Sequence, residues 1–196
     1  MTVQTIARGE PLSLPRRDIL RYMRCPTETA EVAALVDEAM EAVTPLLRYR
    51  ACFARFPLME TEKGLHLGFA ETESRSLKRH LAGFDEVLVM AATVGSEVDR
   101  LLARLSALSP ARAVAADAVA TTAIEAWCDY LCTEWTGQGL ALTARFSAGY
   151  GDCPLELQIP LIGSLDTSRK IGLTLTDSLL MTPKKSVTAM IGISNI

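Results

Sequence analysis

The stretch Arg145-Phe-Ser-Ala-Gly-Tyr-Gly-Asp-Cys-Pro154 is the most informative part of this sequence of 196 residues. It joins a strand-like apolar segment at 140–142 to a helix-like segment that follows the loop. Gly149 and Gly151 permit positive φ angles and let a ligand approach the main chain closely. Arg145 offers a planar group suited to a carboxylate or a phosphate. A surface turn would also explain two spaced glycines, but the density of functional groups favours a small-molecule site.

Four blocks follow one another in the second half of the chain. They are Arg145-x-x-x-Gly149-Tyr150, Pro154-Leu-Glu-Leu-Gln158, Ile171-Gly-Leu-Thr-Leu-Thr-Asp-Ser178 and Met181-x-Pro183-x-x-Ser186-Val187. In order and spacing they resemble the activation (reactivation) domain of cobalamin-dependent methionine synthase, over about 87–192. That domain binds S-adenosylmethionine. The resemblance therefore implies this ligand, and an α+β fold with a twisted, mainly antiparallel sheet flanked by helices.

The pattern of apolar and turn residues also predicts an α+β fold. Helices are predicted over 16–24, 28–47, 74–81, 96–108, 110–135 and 154–163, and strands over 49–56, 65–69, 87–94, 141–146, 170–175 and 186–193. Because helices and strands do not alternate strictly, the order is typical of α+β proteins. Within one domain, we expect an N-terminal helical and hairpin part at 1–85 and an S-adenosylmethionine-binding core at 86–196.

Local signals refine this interpretation near the ends of several elements. Residues 1–15, with a glycine and two prolines, predict an arm or loop. Thr27 is the expected N-cap of the second helix, and Ser96 that of the helix at 96–108. The turn-like residues 60–64 predict that the strands at 49–56 and 65–69 form an antiparallel pair.

Composition and charge exclude several classes of function. The net charge of −3 leaves no basic surface for nonspecific binding of nucleic acid. The longest apolar run, Val87–Val94, is too short to span a membrane, and the N-terminal residues lack a signal segment. The five cysteines are dispersed without a Cys-x-x-Cys pair, which argues against a metal site. We therefore expect a cytoplasmic protein with reduced thiols and no nucleic-acid or membrane partner.

Glu125 is the one charged residue on an otherwise small or apolar stripe of the predicted helix at 110–135. The stripe consists of Val114, Ala118, Thr121, Glu125, Cys128 and Cys132. A buried carboxylate without a partner is unfavourable, so Glu125 should have a partner or face a polar cavity. A salt bridge, for instance to Arg145, and exposure at a rim are the alternatives. The resemblance places Glu125 at the position of a ligand-binding glutamate.

The resemblance also implies the roles of the other site residues. Arg145 would bind the methionyl carboxylate, and the main chain from Ser147 to Gly149 would contact the adenine or the ribose. Tyr150 would line the pocket of the methyl donor, although it could equally be a core aromatic residue. The predicted S-adenosylmethionine-binding set is thus Glu125, Arg145, Ser147, Gly149 and Tyr150. No catalytic side chain is expected, because the cobalt of cobalamin is the nucleophile and the protein only positions the reactants.

By resemblance, the chain is a methyltransferase component that supports the reductive methylation of cob(II)alamin to methylcobalamin. The chain carries no fused cobalamin module and ends at Ile196, so we expect it to act in trans on a cobalamin-binding methionine synthase or another corrinoid protein. Cobalamin would be carried by that partner, and a flavodoxin or ferredoxin-type protein would donate the electron. His66 and His80 lack the Asp-x-His-x-x-Gly context of cobalt ligation, so binding of free cobalamin is not expected.

Three other functions remain open on the sequence. The chain could be a noncatalytic docking or stabilising subunit of a corrinoid protein. It could be the reactivation partner of a different corrinoid methyltransferase, or an S-adenosylmethionine-dependent methyltransferase with an unrelated substrate. Gly151-Asp152 after the tyrosine departs from the resembled family, whereas the joint presence of Glu125, Arg145, Gly149 and Tyr150 favours ligand binding over docking alone.

Overall fold

The computed structural model describes residues 2–195. Its helices are α1 (Arg16–Tyr22), α2 (Ala30–Val43), α3 (Arg75–His80), α4 (Ser96–Leu108), α5 (Pro110–Gly137), α6 (Gln158–Leu165) and α7 (Thr167–Ile171). Its strands are β1 (Gln4–Arg8), β2 (Tyr49–Pro57), β3 (Met59–Glu60), β4 (Leu65–His66), β5 (Glu71–Thr72), β6 (Glu86–Thr93), β7 (Leu140–Leu142), β8 (Thr174–Leu175), β9 (Met181–Thr182) and β10 (Ser186–Asn195). Short 3₁₀ turns lie at Thr44–Leu46 and Leu155–Leu157.

The main sheet contains five strands in the order β1-β2-β6-β10-β7, and all of its pairings are antiparallel. β6 is central, and its residues 87–93 are all buried, because helices cover both faces of the sheet. β3, β4 and β5 form a second small sheet, and β8 pairs with β9. The mixed helices and strands around an antiparallel sheet confirm the predicted α+β fold class.

Helices on the two faces of the sheet enclose two apolar layers. One face packs against α1, α2, α4 and α5, and Trp127 of α5 is fully buried there. The indole Nε1 of Trp127 donates a hydrogen bond to the main-chain oxygen of Arg50 in β2 at 3.1 Å, which satisfies its polar atom. The other face packs against α3, α6 and α7 through buried leucines such as Leu77, Leu161 and Leu165. Burying one such leucine stabilises the fold by roughly 1.5–3 kcal/mol.

Most of the predicted elements occur where the periodicity places them. The helices expected at 16–24, 74–81, 96–108, 110–135 and 154–163 correspond to α1, α3, α4, α5 and α6, and the strands at 49–56, 87–94 and 186–193 to β2, β6 and β10. α5 begins at Pro110, which suits the first turn of a helix because the missing N–H has no intrahelical partner there. None of the helices in the described residues is both long and apolar enough to cross a bilayer.

Two predictions are wrong because strand pairing with residues distant in the sequence determines the structure of these segments. The expected arm at 1–15 contains β1, which pairs with β2. The strands at 49–56 and 65–69 do not pair with each other, since β2 pairs with β1 and β6. The 60–64 turn instead connects β3 to β4, which is only two residues long.

Four element ends also differ from the predictions. Thr29, not Thr27, caps α2, and its hydroxyl accepts a hydrogen bond from the main-chain N–H of Val32 at 3.4 Å. Gly95, with φ of +93°, takes the cap position expected for Ser96. The predicted strand at 170–175 starts as the end of α7, and β7 is shorter than 141–146. Ile196 lies outside the described residues, and the division into 1–85 and 86–196 stays a prediction.

Candidate functional site

The loop at 145–154 lies beside an edge of the main sheet that is open for part of its length. β7 pairs only with 193–195 at the end of β10, and a single bridge between Phe146 and Met190 follows. Within residues 2–195, no strand pairs with 186–189 on this side of β10. The loop therefore occupies a position where a further strand could have paired.

Hydrogen bonds hold the loop in a compact conformation against this edge. Ser147 Oγ donates to the main-chain oxygen of Thr188 at 2.7 Å. The main-chain N–H of Gly149 donates to the oxygen of Cys153 at 3.0 Å and closes the turn. Gly149 has φ of +89° and Gly151 has φ of +58°, the positive φ angles that the two glycines permit. Residues other than glycine rarely adopt positive φ angles.

Asp152 ties the loop to the start of α3. Its carboxylate accepts hydrogen bonds from Ser74 Oγ at 2.7 Å and from the main-chain N–H groups of Arg75 and Ser76, each at 2.9 Å. These donors, Ser74 Oγ first, hold the pKa of Asp152 well below its usual value. A Cβ at Gly151 would lie 2.6 Å from Ser76 Oγ, so this close approach favours glycine. In the sequence, Asp152 stands out only as a departure from the resembled family.

A cavity of about 490 Å³ lies between the loop, α5, α6 and β10. Its lining residues are Glu125, Ala144, Arg145, Ser147, Ala148, Tyr150, Gln158, Met181, Ser186, Val187 and Thr188. Four of the five predicted site residues thus share one cavity. The fifth, Gly149, lies in the loop between two of the lining residues but is not itself part of the wall. Because α5 and α6 pack on opposite faces of the sheet, the cavity wraps around the open edge of β10.

Arg145 is held by two carboxylates of α5. Its guanidinium donates to Glu125 Oε2 at 2.7 Å and to Asp129 Oδ1 at 2.8 Å. The Arg145 side chain is 23% exposed, whereas those of Glu125 and Asp129 are 40% and 73% exposed. The salt bridge weighed as one alternative for Glu125 is therefore present, and Glu125 also lines the cavity. The three side chains, here called the Arg145 cluster, carry a net charge of −1.

Asp129 was not among the predicted site residues. It lies four residues after Glu125, one helical turn along α5, where residues share a face. The stripe that singled out Glu125 continues through Cys128 and does not include Asp129. The spacing of four between two acidic residues on one predicted helix is the sequence signal that points to Asp129.

Tyr150 stands at the mouth of the cavity. It is 57% exposed, which excludes the alternative that it is a core aromatic residue. Its ring lies edge-on to Phe146, with the ring centroids 5.8 Å apart. Three other exposed apolar side chains, Leu155, Ile159 and Leu180, come from segments next to cavity-lining residues.

The cysteines near the site are not reactive thiolates. Burial raises the pKa of the Cys128 thiol to about 12, and burial also raises the pKa values of Cys132 and Cys153. All three therefore remain protonated at neutral pH, so none has the character of a nucleophile. In the described part of the chain, no group of three or more His, Cys, Asp or Glu side chains could hold a metal ion.

The fold is that of a solved structure described as the MetH reactivation domain bound to AdoHcy. The two match with a TM-score of 0.68 over 98% of this chain and 78% of that chain, at 16% sequence identity. The match shows the fold, and it confirms the fold that the four sequence blocks implied. No family model matches the sequence, and no curated protein matches it.

Proposed function

We propose that this chain binds S-adenosylmethionine in the cavity beside the 145–154 loop and supports the reductive methylation of a cobalamin carried by a separate protein. The observation that carries the proposal is the gathering of Glu125, Arg145, Ser147 and Tyr150 in one cavity. The fold is shared with a domain solved with AdoHcy. The volume of about 490 Å³ lies within the roughly 300–1,000 Å³ usual for small-molecule sites.

The charges of the Arg145 cluster suit this ligand. S-adenosylmethionine carries a carboxylate, an ammonium and a sulfonium group, so its net charge is +1. The guanidinium of Arg145 can meet the carboxylate, while Glu125 and Asp129 favour the two cations. A cluster of net charge −1 therefore complements S-adenosylmethionine better than it complements the neutral product AdoHcy.

The role of the chain in this reaction is to bind and to orient. A partner's cobalamin, once reduced by one electron from a flavodoxin or ferredoxin-type donor, would provide the nucleophile for the methyl group, and AdoHcy would be the product that leaves. The chain itself would hold the methionyl group at Arg145 and leave the methyl group facing outward. Exposed Tyr150, Leu155, Ile159 and Leu180 support a partner surface at the cavity mouth, because exposed apolar groups that cluster often mark interaction sites.

A docking or stabilising subunit that does not use S-adenosylmethionine is the second candidate. The observation that favours it is the double salt bridge of Arg145, whose guanidinium already meets two carboxylates. A ligand carboxylate would have to share or displace at least one of these contacts. The proposed function therefore requires the Arg145 cluster to rearrange, and a docking subunit does not.

Calorimetric titration with S-adenosylmethionine and with AdoHcy separates the two candidates. The proposed function predicts saturable binding of both ligands, and tighter binding of S-adenosylmethionine. If the folded chain binds neither S-adenosylmethionine nor AdoHcy, alone or with a cobalamin-loaded corrinoid protein, the result would favour the docking subunit. In the same mixture, a reductant and S-adenosylmethionine labelled in its methyl group should transfer label to cobalamin only when the chain is present.

A further inference from the structure

Two buried side chains in the cavity wall have oxygen atoms without hydrogen-bond partners among residues 2–195. They are Oε1 of Gln158 on α6 and Oγ1 of Thr188 on β10. Gln158 is 5% exposed and Thr188 is 1% exposed, and both line the cavity. Buried polar atoms in folded proteins nearly always have a partner. Two such atoms on one cavity wall are therefore placed to pair with a polar group of a ligand.

The two serine hydroxyls that line the same cavity, those of Ser147 and Ser186, already donate to other oxygen atoms. Ser147 Oγ donates to the main-chain oxygen of Thr188 at 2.7 Å. Ser186 Oγ is within 2.9 Å of Thr93 Oγ1 and 2.7 Å of the main-chain oxygen of Pro183. An amide oxygen only accepts hydrogen bonds. The group that meets Gln158 Oε1 must therefore be an N–H or O–H donor, and a carboxylate or sulfonium group is excluded.

The position of the Arg145 cluster assigns this donor to the nucleoside half of the ligand. In the proposed function, Arg145 holds the methionyl carboxylate, and the ammonium is attached to the adjacent carbon. Both groups must then stay near α5, on one side of the open sheet edge. Gln158 comes from α6 on the other side, where the remaining donors of the ligand are those of adenosine.

We propose that Gln158, together with Thr188, recognises the amino edge of the adenine base, an inference that rests on the proposed function. A glutamine amide matches adenine because its oxygen accepts from the exocyclic amino group and its NH₂ group donates to a ring nitrogen. The wall around it includes Ala148, Met181 and Val187, which are apolar side chains suited to a flat ring.

The test compares the dissociation constants of AdoHcy and of its 6-deamino analogue, in which a hydrogen atom replaces the amino group at position 6 of the purine. The wild-type chain should bind AdoHcy about three- to tenfold more tightly, the ratio for one hydrogen bond between neutral groups. In Gln158→Leu this ratio should fall towards one, since the amino group of AdoHcy then keeps only Thr188 Oγ1 as an acceptor. Thr188→Val removes the second oxygen with little change in shape, and it should reduce the ratio by a smaller factor.

Thermal melting separates this role from a structural one. Gln158→Leu removes an unsatisfied buried group and should not lower the melting temperature, whereas a structural glutamine would lower it. Gln4→Leu, at an exposed position of β1, is the matched control and should keep the wild-type ratio. If a folded Gln158→Leu variant binds AdoHcy and keeps the wild-type ratio of affinities for AdoHcy and its analogue, the inference about Gln158 is wrong. The proposed function would not be affected by that result. Wild-type binding of neither ligand would overturn both.

Discussion

Two polar clusters lie at opposite ends of the 145–154 loop, and they differ in how their charges are balanced. Asp152 receives three hydrogen bonds from the start of α3. Its donors are neutral, and all three come from the start of one helix, as in a helix cap. The Arg145 cluster instead holds two carboxylates on one guanidinium and borders a cavity. The comparison teaches that a satisfied carboxylate fixes the loop, while a cluster with surplus charge beside a cavity is available to a ligand.

The largest effect on ligand binding is expected at Arg145. Arg145→Ala should weaken the binding of S-adenosylmethionine and AdoHcy about ten- to a hundredfold, because a charge-assisted contact contributes about 1.5–3 kcal/mol. The melting temperature should change little, since both salt bridges have an exposed partner. Calorimetry and a thermal melt measure the two quantities. Arg55→Ala, at an exposed position of β2, is the control and should bind like the wild type.

A smaller effect is expected for Glu125→Gln. Removal of this partly exposed charge should weaken S-adenosylmethionine binding about three- to tenfold, corresponding to about 1 kcal/mol after solvent screening. If Glu125 lies near the sulfonium, AdoHcy binding should fall less, and if it meets only the ammonium, both should fall alike. Unchanged affinity for both ligands in a variant with a lower melting temperature would make Glu125 structural. Tighter binding of both would show that Glu125 competes with the ligand for Arg145.

Asp152→Asn tests the other side of the comparison. The variant loses the charged acceptor for Ser74 and for two main-chain N–H groups, so its melting temperature should fall. Ligand affinity should fall less than in Arg145→Ala, because Asp152 does not line the cavity. Asp177→Asn changes an exposed carboxylate in another loop and should melt like the wild type. If Asp152→Asn melts at the wild-type temperature, the prediction that Asp152 fixes the 145–154 loop to α3 is wrong.

The smallest effect, a pH dependence, follows from the low pKa of Asp152. A carboxyl group with a depressed pKa in the fold stabilises it above the unfolded pKa of about 3.9 and loses this contribution as the pH falls further. The difference in melting temperature between wild type and Asp152→Asn should therefore be constant from about pH 7 to pH 5 and shrink below about pH 4. A difference that already vanishes near pH 6 would contradict this account.

Elements whose signals are local were predictable, and α5 and β6 are the examples. The long apolar pattern after Ser109-Pro110 is typical of a helix, and the run Val87–Val94 is typical of a buried strand. β1 was missed because its exposed, mixed residues Gln4–Arg8 become a strand only by pairing with β2. At 170–175, α7 ends at Ile171, and Gly172 follows it in the left-handed region. This helix-ending glycine was missed because the leucines and threonines that follow it are typical of a strand.

The residues of the candidate site were predictable where they belong to one segment of the sequence, and less so where segments distant in the sequence come together. The loop residues and Glu125 were identified from the resemblance, and they do share a cavity apart from Gly149. The contact of Asp152 with Ser74 joins residues far apart in the chain, which no local pattern encodes. Gln158 was noted only as part of a sequence block, because its burial depends on how α6 packs on the sheet.

The open edge of β10 at 186–189 also bears on the solubility of the protein. An uncovered edge strand presents main-chain donors and acceptors that can pair with a strand of another molecule and start aggregation. The 145–154 loop blocks this edge without extending it, because its glycine turns are not strand-like and Ser147 occupies the oxygen of Thr188. The loop that borders the proposed ligand site thus also shields the sheet from intermolecular pairing. Changes that lift it off β10 would appear first as association that increases with protein concentration.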